Sequence, residues 1–320
     1  MPQVTELSTT WNLPNFAGEL FTADGEMTPF LTMIGGLTGG MQTNNFEFPT
    51  GVLYDYPKAA QPEISEQGSA KAPQATAISR MQEKNVVQIF HETLDMTYVK
   101  MSNSGRMSGI NSALDAANPP DDHAWQIQHK LIKIARDVEY TFLQGKYALA
   151  TKADEPNKTR GMIELCSTGN TVAAAAAPLS KDMINSLLLL MANNGAYFNN
   201  MVLFCSAEQK QRISDVYNLQ NGFQLPANRN VGGVNITEIE TDFCRLGIVW
   251  DRFMPNDTIL IADMAHIVPV FQVVPNKGVL FVEALAKTGA SEREQIFGQI
   301  GLAHGAKFLH GTITGLKVGA

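Results

Sequence analysis

The sequence predicts an α+β fold with long projections, and the order of its segments carries this prediction. A polar stretch over 54–83 separates two apolar segments near the start of the chain. A strand-like run follows, then one long amphipathic helix over 121–144, and then alternating helical and strand-like segments. A polar loop this long is uncommon inside a compact domain unless it serves a function. Its expected role is to lie on another copy of the same protein.

The composition fits a folded protein with a large buried core. The chain has 320 residues, of which 44% are hydrophobic and 17% are charged. This length suggests one large or two moderate domains, and the low charged fraction is compatible with a surface covered by partners. The net charge is −7, and no Lys or Arg precedes Lys58. We therefore expect neither a basic arm that binds phosphates nor a secretory signal peptide.

The cysteines and the apolar runs predict a soluble protein made in a reducing cytoplasm. Cys166, Cys205 and Cys244 are widely spaced and form no C-x-x-C pair, so the sequence indicates no disulfide framework. No apolar run approaches the ~20 residues that span a bilayer.

The first 45 residues predict an extended arm with one short helix or turn. The run over 28–34 is apolar and ends at Gly35 and Gly36, and Gly39 and Gly40 repeat the break. Paired glycines permit sharp turns with positive φ. The arm is therefore expected to turn where it meets the rest of the chain.

Two strand-like segments flank the polar stretch and predict a long projecting β-hairpin. The first covers 45–56, and the second covers 85–100 with alternating side chains such as Phe90 and Leu94 on one face. At ~3.3 Å per residue the second strand would reach about 50 Å, which is unusually long. The polar centre over 57–82 cannot bury enough surface to fold alone.

The segment over 121–144 predicts one amphipathic helix. Asp121 or Asp122 can cap its start, and Gly145 can end it. A helix of this length spans roughly 36 Å, which is long enough to brace an elongated subunit. Its apolar residues recur at helical spacing: Ile127, Leu131, Ile134, Ala135, Val138 and Phe142.

The rest of the chain predicts an α+β block that follows a linker over 168–178. Ser180 is expected to cap a helix, and 201–205 is expected to form a buried strand. Ser206 and Gln209 match a capping box that opens a second helix. Further strands are expected at 234–239, 246–250, 258–262, 267–274, 278–285 and 295–302.

The catalytic motifs in this chain are incomplete. His123 and His129 are six residues apart, so they do not share a helix face as metal ligands at i and i+4 would. Lys287-Thr288-Gly289 matches the K-T-G element of penicillin-recognising serine enzymes, but the S-x-x-K element that they also need is absent. A turn is therefore the favoured interpretation of this tripeptide.

Carboxylates are plentiful but scattered. Glu63 and Glu66 lie on the polar stretch, while Glu292 and Glu294 follow the K-T-G turn. Paired acids can hydrolyse glycosides, but these pairs lack aromatic surroundings, which favours solvated faces or intersubunit ion pairs. No catalytic, cofactor-binding or metal-binding residue and no cofactor is therefore predicted. A hydrolase that uses the scattered carboxylates or histidines is the alternative from another class.

The order of these elements resembles the major capsid proteins of tailed double-stranded DNA bacteriophages. Those proteins share a fold with an N-arm, an extended E-loop, a peripheral P-domain that carries a spine helix, and an axial A-domain. The chain departs from the expected pattern at Trp250 and Ala290. The strings that carry the resemblance are Thr28–Leu31 with Ile34–Gly36, Arg136–Glu139 with Leu143–Gly145, Gly161–Ile163, Asp251–Pro255 and Leu285–Gly289.

The resemblance implies a tailed-phage major capsid fold with defined domain boundaries. The N-arm is expected at 1–45, the E-loop at 46–95, the P-domain at 96–178 and 261–320, and the A-domain at 179–260. The spine helix would be the one predicted at 121–144. Because Met1 is followed by no long helical prelude, a separate scaffolding protein is expected rather than a fused one.

The function implied by the resemblance is self-assembly, as hexamers and pentamers, into the icosahedral head shell of a phage. The shell would enclose packaged DNA without sequence-specific binding and without a membrane. Expected partners are other copies of the chain, a scaffolding protein and a portal, with a decoration protein as a further candidate. The protein would be made in the host bacterial cytoplasm and end in the virion.

Two structural alternatives stay open: the shell of a bacterial nanocompartment with the same fold, and a sheath, tail or decoration protein. The candidate intersubunit contact residues are Phe30, Tyr54, Tyr56, Lys58, Glu63, Glu66, Lys71, Arg80, Arg252 and Glu294.

Overall fold

The computed structural model describes residues 27–55, 59–72, 77–102, 122–220, 237–287 and 289–319. The helices in these ranges are α1 (Pro29–Met33), α2 (Glu66–Ser69), α3 (Tyr98–Ser102), α4 (Asp122–Gln144), α5 (Met162–Ser167), α6 (Lys181–Asn193) and α7 (Ala207–Gln220). Short 3-10 turns lie at Met264–His266 and Lys307–Leu309. The strands are β1 (Met41–Thr43), β2 (Glu47–Asp55), β3 (Ser79–Val86), β4 (Gln88–Thr97), β5 (Asn170–Ala173), β6 (Met201–Cys205), β7 (Glu238–Glu240), β8 (Arg245–Trp250), β9 (Ile259–Asp263), β10 (Val268–Gln272), β11 (Leu280–Ala284), β12 (Ser291–Ala303) and β13 (Gly311–Thr314).

Strands β2 and β3 form an antiparallel hairpin that is a two-stranded sheet of its own. The single long strand expected over 85–100 is in fact two strands. The last hydrogen bond at the base of the hairpin is donated by the Val87 N–H to the Phe46 carbonyl at 2.9 Å. From Gln88 onward the chain pairs with β12 instead. Alternation alone could not reveal this break, because side chains alternate in the same way on both sides of it.

The predicted long helix, α4, packs on a five-stranded sheet. Strand β12 lies inside this sheet, with β4 on one side and β10 and β11 on the other. Ile134, Val138 and Phe142 of α4 are buried in one core with Phe90 and Ile296 of the sheet. The apolar stripe of the sequence thus marks the face that packs, as its spacing predicted.

A six-stranded sheet follows the order β5-β13-β9-β6-β8-β7 and holds a second core with α6. Strand β5 lies in the segment predicted as a linker, because its parallel partner β13 comes from the far end of the chain. The capping prediction for α6 is confirmed, since the Ser180 hydroxyl accepts from the Met183 N–H at 3.3 Å.

The predicted capping box at α7 is only half formed. The Gln209 N–H donates to the Ser206 hydroxyl at 3.4 Å, but the Gln209 side chain does not return to the helix start. Its Nε2 donates instead to the carbonyls of Asn256 at 2.8 Å and Lys317 at 3.3 Å. Gln209 therefore ties α7 to the C-terminal segment.

Candidate interaction surfaces

The β2–β3 hairpin presents apolar side chains to solvent away from its base. Ile64 is 73% exposed, Met81 is 67% exposed and Tyr54 is 56% exposed. Among the described hairpin residues, buried apolar packing lies at the base, where Phe48 lies beside Gly301 in a small core with Val87. A two-stranded hairpin is at best marginally stable alone. The exposed apolar surface is therefore suited to contact with another molecule.

The polar segment between the two hairpin strands carries charges of both signs. Glu63, Glu66, Lys71 and Arg80 are all exposed. The short helix α2 is ordered by Ser65, whose hydroxyl accepts from the Gly68 N–H at 3.1 Å. Such mixed charges suit ion pairs across an interface better than binding of a uniformly charged partner. The candidates Tyr56 and Lys58 lie outside the described residues.

Phe30 has a different place from the other candidate contact residues. Its side chain is fully buried, and its ring centroid lies 5.2 Å from that of Phe204. The side chain therefore faces the core of its own subunit and leaves no exposed surface for a neighbour. What Phe30 does in this structure is fix the point at which the N-terminal segment meets α4.

Arg252 and Glu294 lie on the body of the subunit. Arg252 is exposed and lies two residues after the half-exposed Trp250. Glu294 is paired within the chain, since its carboxylate lies 3.1 Å from His123 Nε2 on α4. The structure thus pairs Tyr54 with Arg80 across the hairpin and leaves Glu63, Glu66 and Lys71 in the segment between its strands. Phe30, Arg252 and Glu294 lie elsewhere.

The outer face of the five-stranded sheet is a surface that the sequence analysis missed. His91 and Phe297 approach with ring centroids 6.3 Å apart, and Phe281 lies 5.8 Å from Phe297. Ile89 on the same face is exposed. The alternation in β4 was the available signal, but pairing with β12 is what aligns the aromatic residues.

The sequence motifs considered for catalysis form no reactive arrangement in the described part of the chain. Lys287 contacts the Tyr98 hydroxyl at 3.3 Å and Glu292 at 3.5 Å, and Thr288 of the K-T-G tripeptide lies outside the described residues. Burial raises the pKa of the Cys205 thiol to about 12 and raises that of Cys166 as well, which leaves both as thiols.

The described residues were searched for metal-binding clusters and for helices that could span a membrane. Among them, no group of three or more His, Cys, Asp and Glu side chains could hold a metal ion. No helix within the same ranges has both the length and the apolar character needed to cross a membrane.

The comparisons with known proteins identify the family. The family model described as SU10 major capsid protein matches residues 3–317. The chain belongs to the SU10 major capsid protein family. As a member of this family it is a subunit of a phage head shell, which confirms the resemblance found in the sequence. A search of curated proteins gives no significant match.

Solved structures show the same fold at low sequence identity. The capsid of Cyanophage A-1(L) has a TM-score of 0.70 and 9% identity, over 96% of this chain and 98% of that one. A chain from the structure of Microbacterium phage Oxtober96 has a TM-score of 0.57 and 12% identity, over 95% of this chain and 96% of that one. The SrpI encapsulin of Synechococcus elongatus PCC 7942 has a TM-score of 0.56 and 10% identity, over 95% and 92%. The capsid fold of this family member is thus confirmed.

Proposed function

We propose that this capsid protein assembles as hexamers and pentamers into a closed icosahedral shell around packaged double-stranded DNA. In this proposal the β2–β3 hairpin of each subunit lies on its neighbour. The observation that carries it is the exposed apolar surface of a hairpin that is packed only at its base. Burying this surface in an interface removes apolar area from water and orders the hairpin.

We also propose the domain boundaries that the resemblance implies. The hairpin belongs to an E-loop at 46–95, α4 is the spine helix of a P-domain, and 179–260 forms the A-domain near the capsomer axis. Exposed Glu63, Glu66, Lys71 and Arg80 would form ion pairs across the interface. In such an interface, one surface of a subunit contacts a different surface of its neighbour. Repeating this contact gives a ring when the rotations from one subunit to the next add up to a full turn.

Electron microscopy of the recombinant protein tests the proposal. The wild-type chain should give shells or capsomers after gel filtration, alone or with its gene neighbours. Met81→Glu places a charge on the exposed hairpin surface and should reduce assembly at least tenfold without unfolding the subunit. Leu149→Glu is the matched control, because Leu149 is also exposed but lies outside the hairpin. Equal assembly of both variants would contradict the role of the hairpin.

We also propose further partners for this subunit in a phage head. A scaffolding protein and a portal would guide shell closure, and a decoration protein is a further candidate. DNA would be enclosed without sequence-specific binding, in keeping with the net charge of −7. Synthesis would take place in the host bacterial cytoplasm. Co-expression with neighbouring genes, followed by mass spectrometry of purified particles, tests which partners join the shell.

The second candidate is the shell of a bacterial nanocompartment. The fold likeness to an encapsulin from Synechococcus elongatus favours it at the level of the fold alone. A portal gene and a terminase gene beside this one would support a phage head, whereas a gene for a cargo enzyme would support a compartment. For either shell we expect no catalytic activity and no cofactor, and a deep pocket with titrating groups in a stable monomer would favour a hydrolase.

A further inference from the structure

A buried pair of carboxyl groups lies where three parts of the subunit meet. Glu139 of α4 is fully buried, and Asp251 after β8 is 1% exposed. The two carboxyl groups face each other closely enough to interact. Burying a carboxylate is costly unless it is paired with a cation or neutralised. The negative charge of this buried pair must therefore be reduced by a cation or by a proton.

The Glu139 carboxyl also holds the start of the described N-terminal segment. The Phe30 N–H donates to Glu139 Oε1 at 2.8 Å, and the Leu31 N–H donates to Oε2 at 2.6 Å. Phe30 and Leu31 are themselves buried. Glu139 thus binds the backbone of α1. Asp251 in turn is bound to the six-stranded sheet, because its N–H donates to the carbonyl of Cys205 in β6 at 2.8 Å.

The two carboxyl oxygens of Asp251 differ in their hydrogen bonds, and the difference indicates where a proton is held. Oδ1 accepts from the Phe253 N–H at 2.8 Å. Oδ2 is buried, and no N–H or O–H donor of the described residues reaches it. Two carboxylates in contact without a proton would repel each other in a site of low polarity. One proton between them instead gives each group a hydrogen-bond partner.

The elements around the pair carry two arginines, an acid and a thiol among the described residues. On α4, the guanidinium of Arg136 lies 6.0 Å from the centroid of the Phe253 ring, and Asp137 lies on an exposed part of the helix. Arg252 is exposed, and Cys205 on β6 is a neutral thiol. Helix α1 has no titratable residue among Pro29–Met33. Burial is the main cause that raises the pKa of both carboxyls, followed for Glu139 by its contacts with Asp251, and the pKa of Glu139 rises to about 9.

We propose that Glu139 and Asp251 share one proton, and that this proton fastens the Phe30–Leu31 segment to the spine helix and to the six-stranded sheet. The attachment of the Phe30–Leu31 segment to the subunit then depends on pH. Losing the proton would place two charges in contact and open the anchor.

The sign of the pH dependence follows from linkage. The pair holds a proton in the anchored state and releases it in the open state, where the Glu139 carboxyl regains its ordinary pKa of 4.5. A raised pKa in the anchored state means that the anchor is strongest below pH 4.5 and weakens as the pH rises through about 9. In this window the opening equilibrium should shift about tenfold per pH unit, which is the effect of one proton.

Hydrogen exchange of the full chain between pH 5 and 9 is the direct test. In the wild type, protection of the Phe30 and Leu31 amides, corrected for the intrinsic exchange rate, should fall by about tenfold per pH unit. Asp251→Asn and Glu139→Gln each keep a hydrogen bond between the two side chains without a shared proton. Both variants should show a shallower pH dependence than the wild type, because only burial then acts on the carboxyl that remains. Asp137→Asn is the control on the same helix and should keep the wild-type slope.

Parallel slopes in the wild type and in both amide variants would overturn the proposal. A second measurement uses the wild-type protein alone, so it does not depend on whether the variants fold. The infrared spectrum of the wild-type protein at pH 7 should contain the C=O band of a protonated carboxylic acid, and its absence would also overturn the shared proton.

Discussion

At the residue scale, Asn85 shows how one buried polar side chain joins three segments. Its Nδ2 donates to the Leu302 carbonyl at 2.8 Å and to the Arg160 carbonyl at 3.3 Å. Its Oδ1 accepts from the N–H groups of Arg160 at 2.8 Å and Val86 at 2.9 Å. The side chain thus satisfies backbone groups of the hairpin base, of β12 and of the loop before α5, and all four of its hydrogen-bonding positions are used.

Asn85→Ala should destabilise the folded chain by about 2–4 kcal/mol, because it leaves buried backbone groups without partners. Urea denaturation followed by circular dichroism measures the change. Asn199→Ala is the control, since Asn199 is exposed, and we expect it to leave the midpoint unchanged. A similar midpoint for Asn85→Ala and the wild type would contradict the role assigned to Asn85.

At the element scale, α4 is fixed to the five-stranded sheet by charge as well as by apolar packing. Glu92 of β4 accepts hydrogen bonds from Lys130, at 2.8 Å, and from Lys133. Burial acts to raise the pKa of Glu92, but the hydrogen bonds from the two lysines outweigh it, so the pKa lies below its ordinary value. Lys130 and Lys133 are one helical turn apart and therefore reach the same carboxylate.

Glu92→Gln should weaken the attachment of α4 and cost about 1 kcal/mol after allowance for solvent screening. Asp95→Asn is the matched control on the same strand. Asp95 pairs with Arg293 at 2.6 Å on the exposed face, where we expect no measurable change. Thermal unfolding of the two variants side by side checks the difference, and a larger loss for Asp95→Asn would reverse the assignment.

At the scale of the whole molecule, the two sheets are joined by buried neutral histidines. His310 Nδ1 accepts from the Asp263 N–H at 3.1 Å, and its Nε2 donates to the His304 carbonyl at 2.6 Å. Asp263 ends β9 of the six-stranded sheet, and His304 follows β12 of the five-stranded sheet. Burial lowers the pKa of both His310 and His304 to about 4, which leaves both side chains uncharged at neutral pH.

Acid should therefore loosen the junction between the sheets. A lowered pKa in the folded state means that stability is complete above the ordinary pKa of 6.5 and is lost as the pH falls through about 4. Each histidine should change the unfolding equilibrium by about tenfold per pH unit in this window. His310→Gln keeps one donor and one acceptor and should flatten the profile. Because Glu139 gives the opposite slope above pH 4.5, the comparison is the difference between variant and wild type, and identical profiles would contradict it.

Local patterns in the sequence determined the elements that carry a strong period or a clear cap. The apolar spacing over 121–144 gave the helix α4 and the face that it buries, and the apolar run over 201–205 gave β6. The order of the arm, hairpin, helix and α+β block was enough to suggest the capsid fold that the family match confirms. These features depend on residues close together in the chain, where periodicity is informative.

Only the tertiary structure decided which distant residues meet. The strand β5 exists because β13 pairs with it, and the long strand expected over 85–100 breaks because β12 takes its second half. The Glu139–Asp251 pair joins residues 112 positions apart, and no local pattern marks either one as buried. Burial and long-range pairing follow from how the whole chain packs, so a buried carboxyl and an exposed one look alike in the sequence.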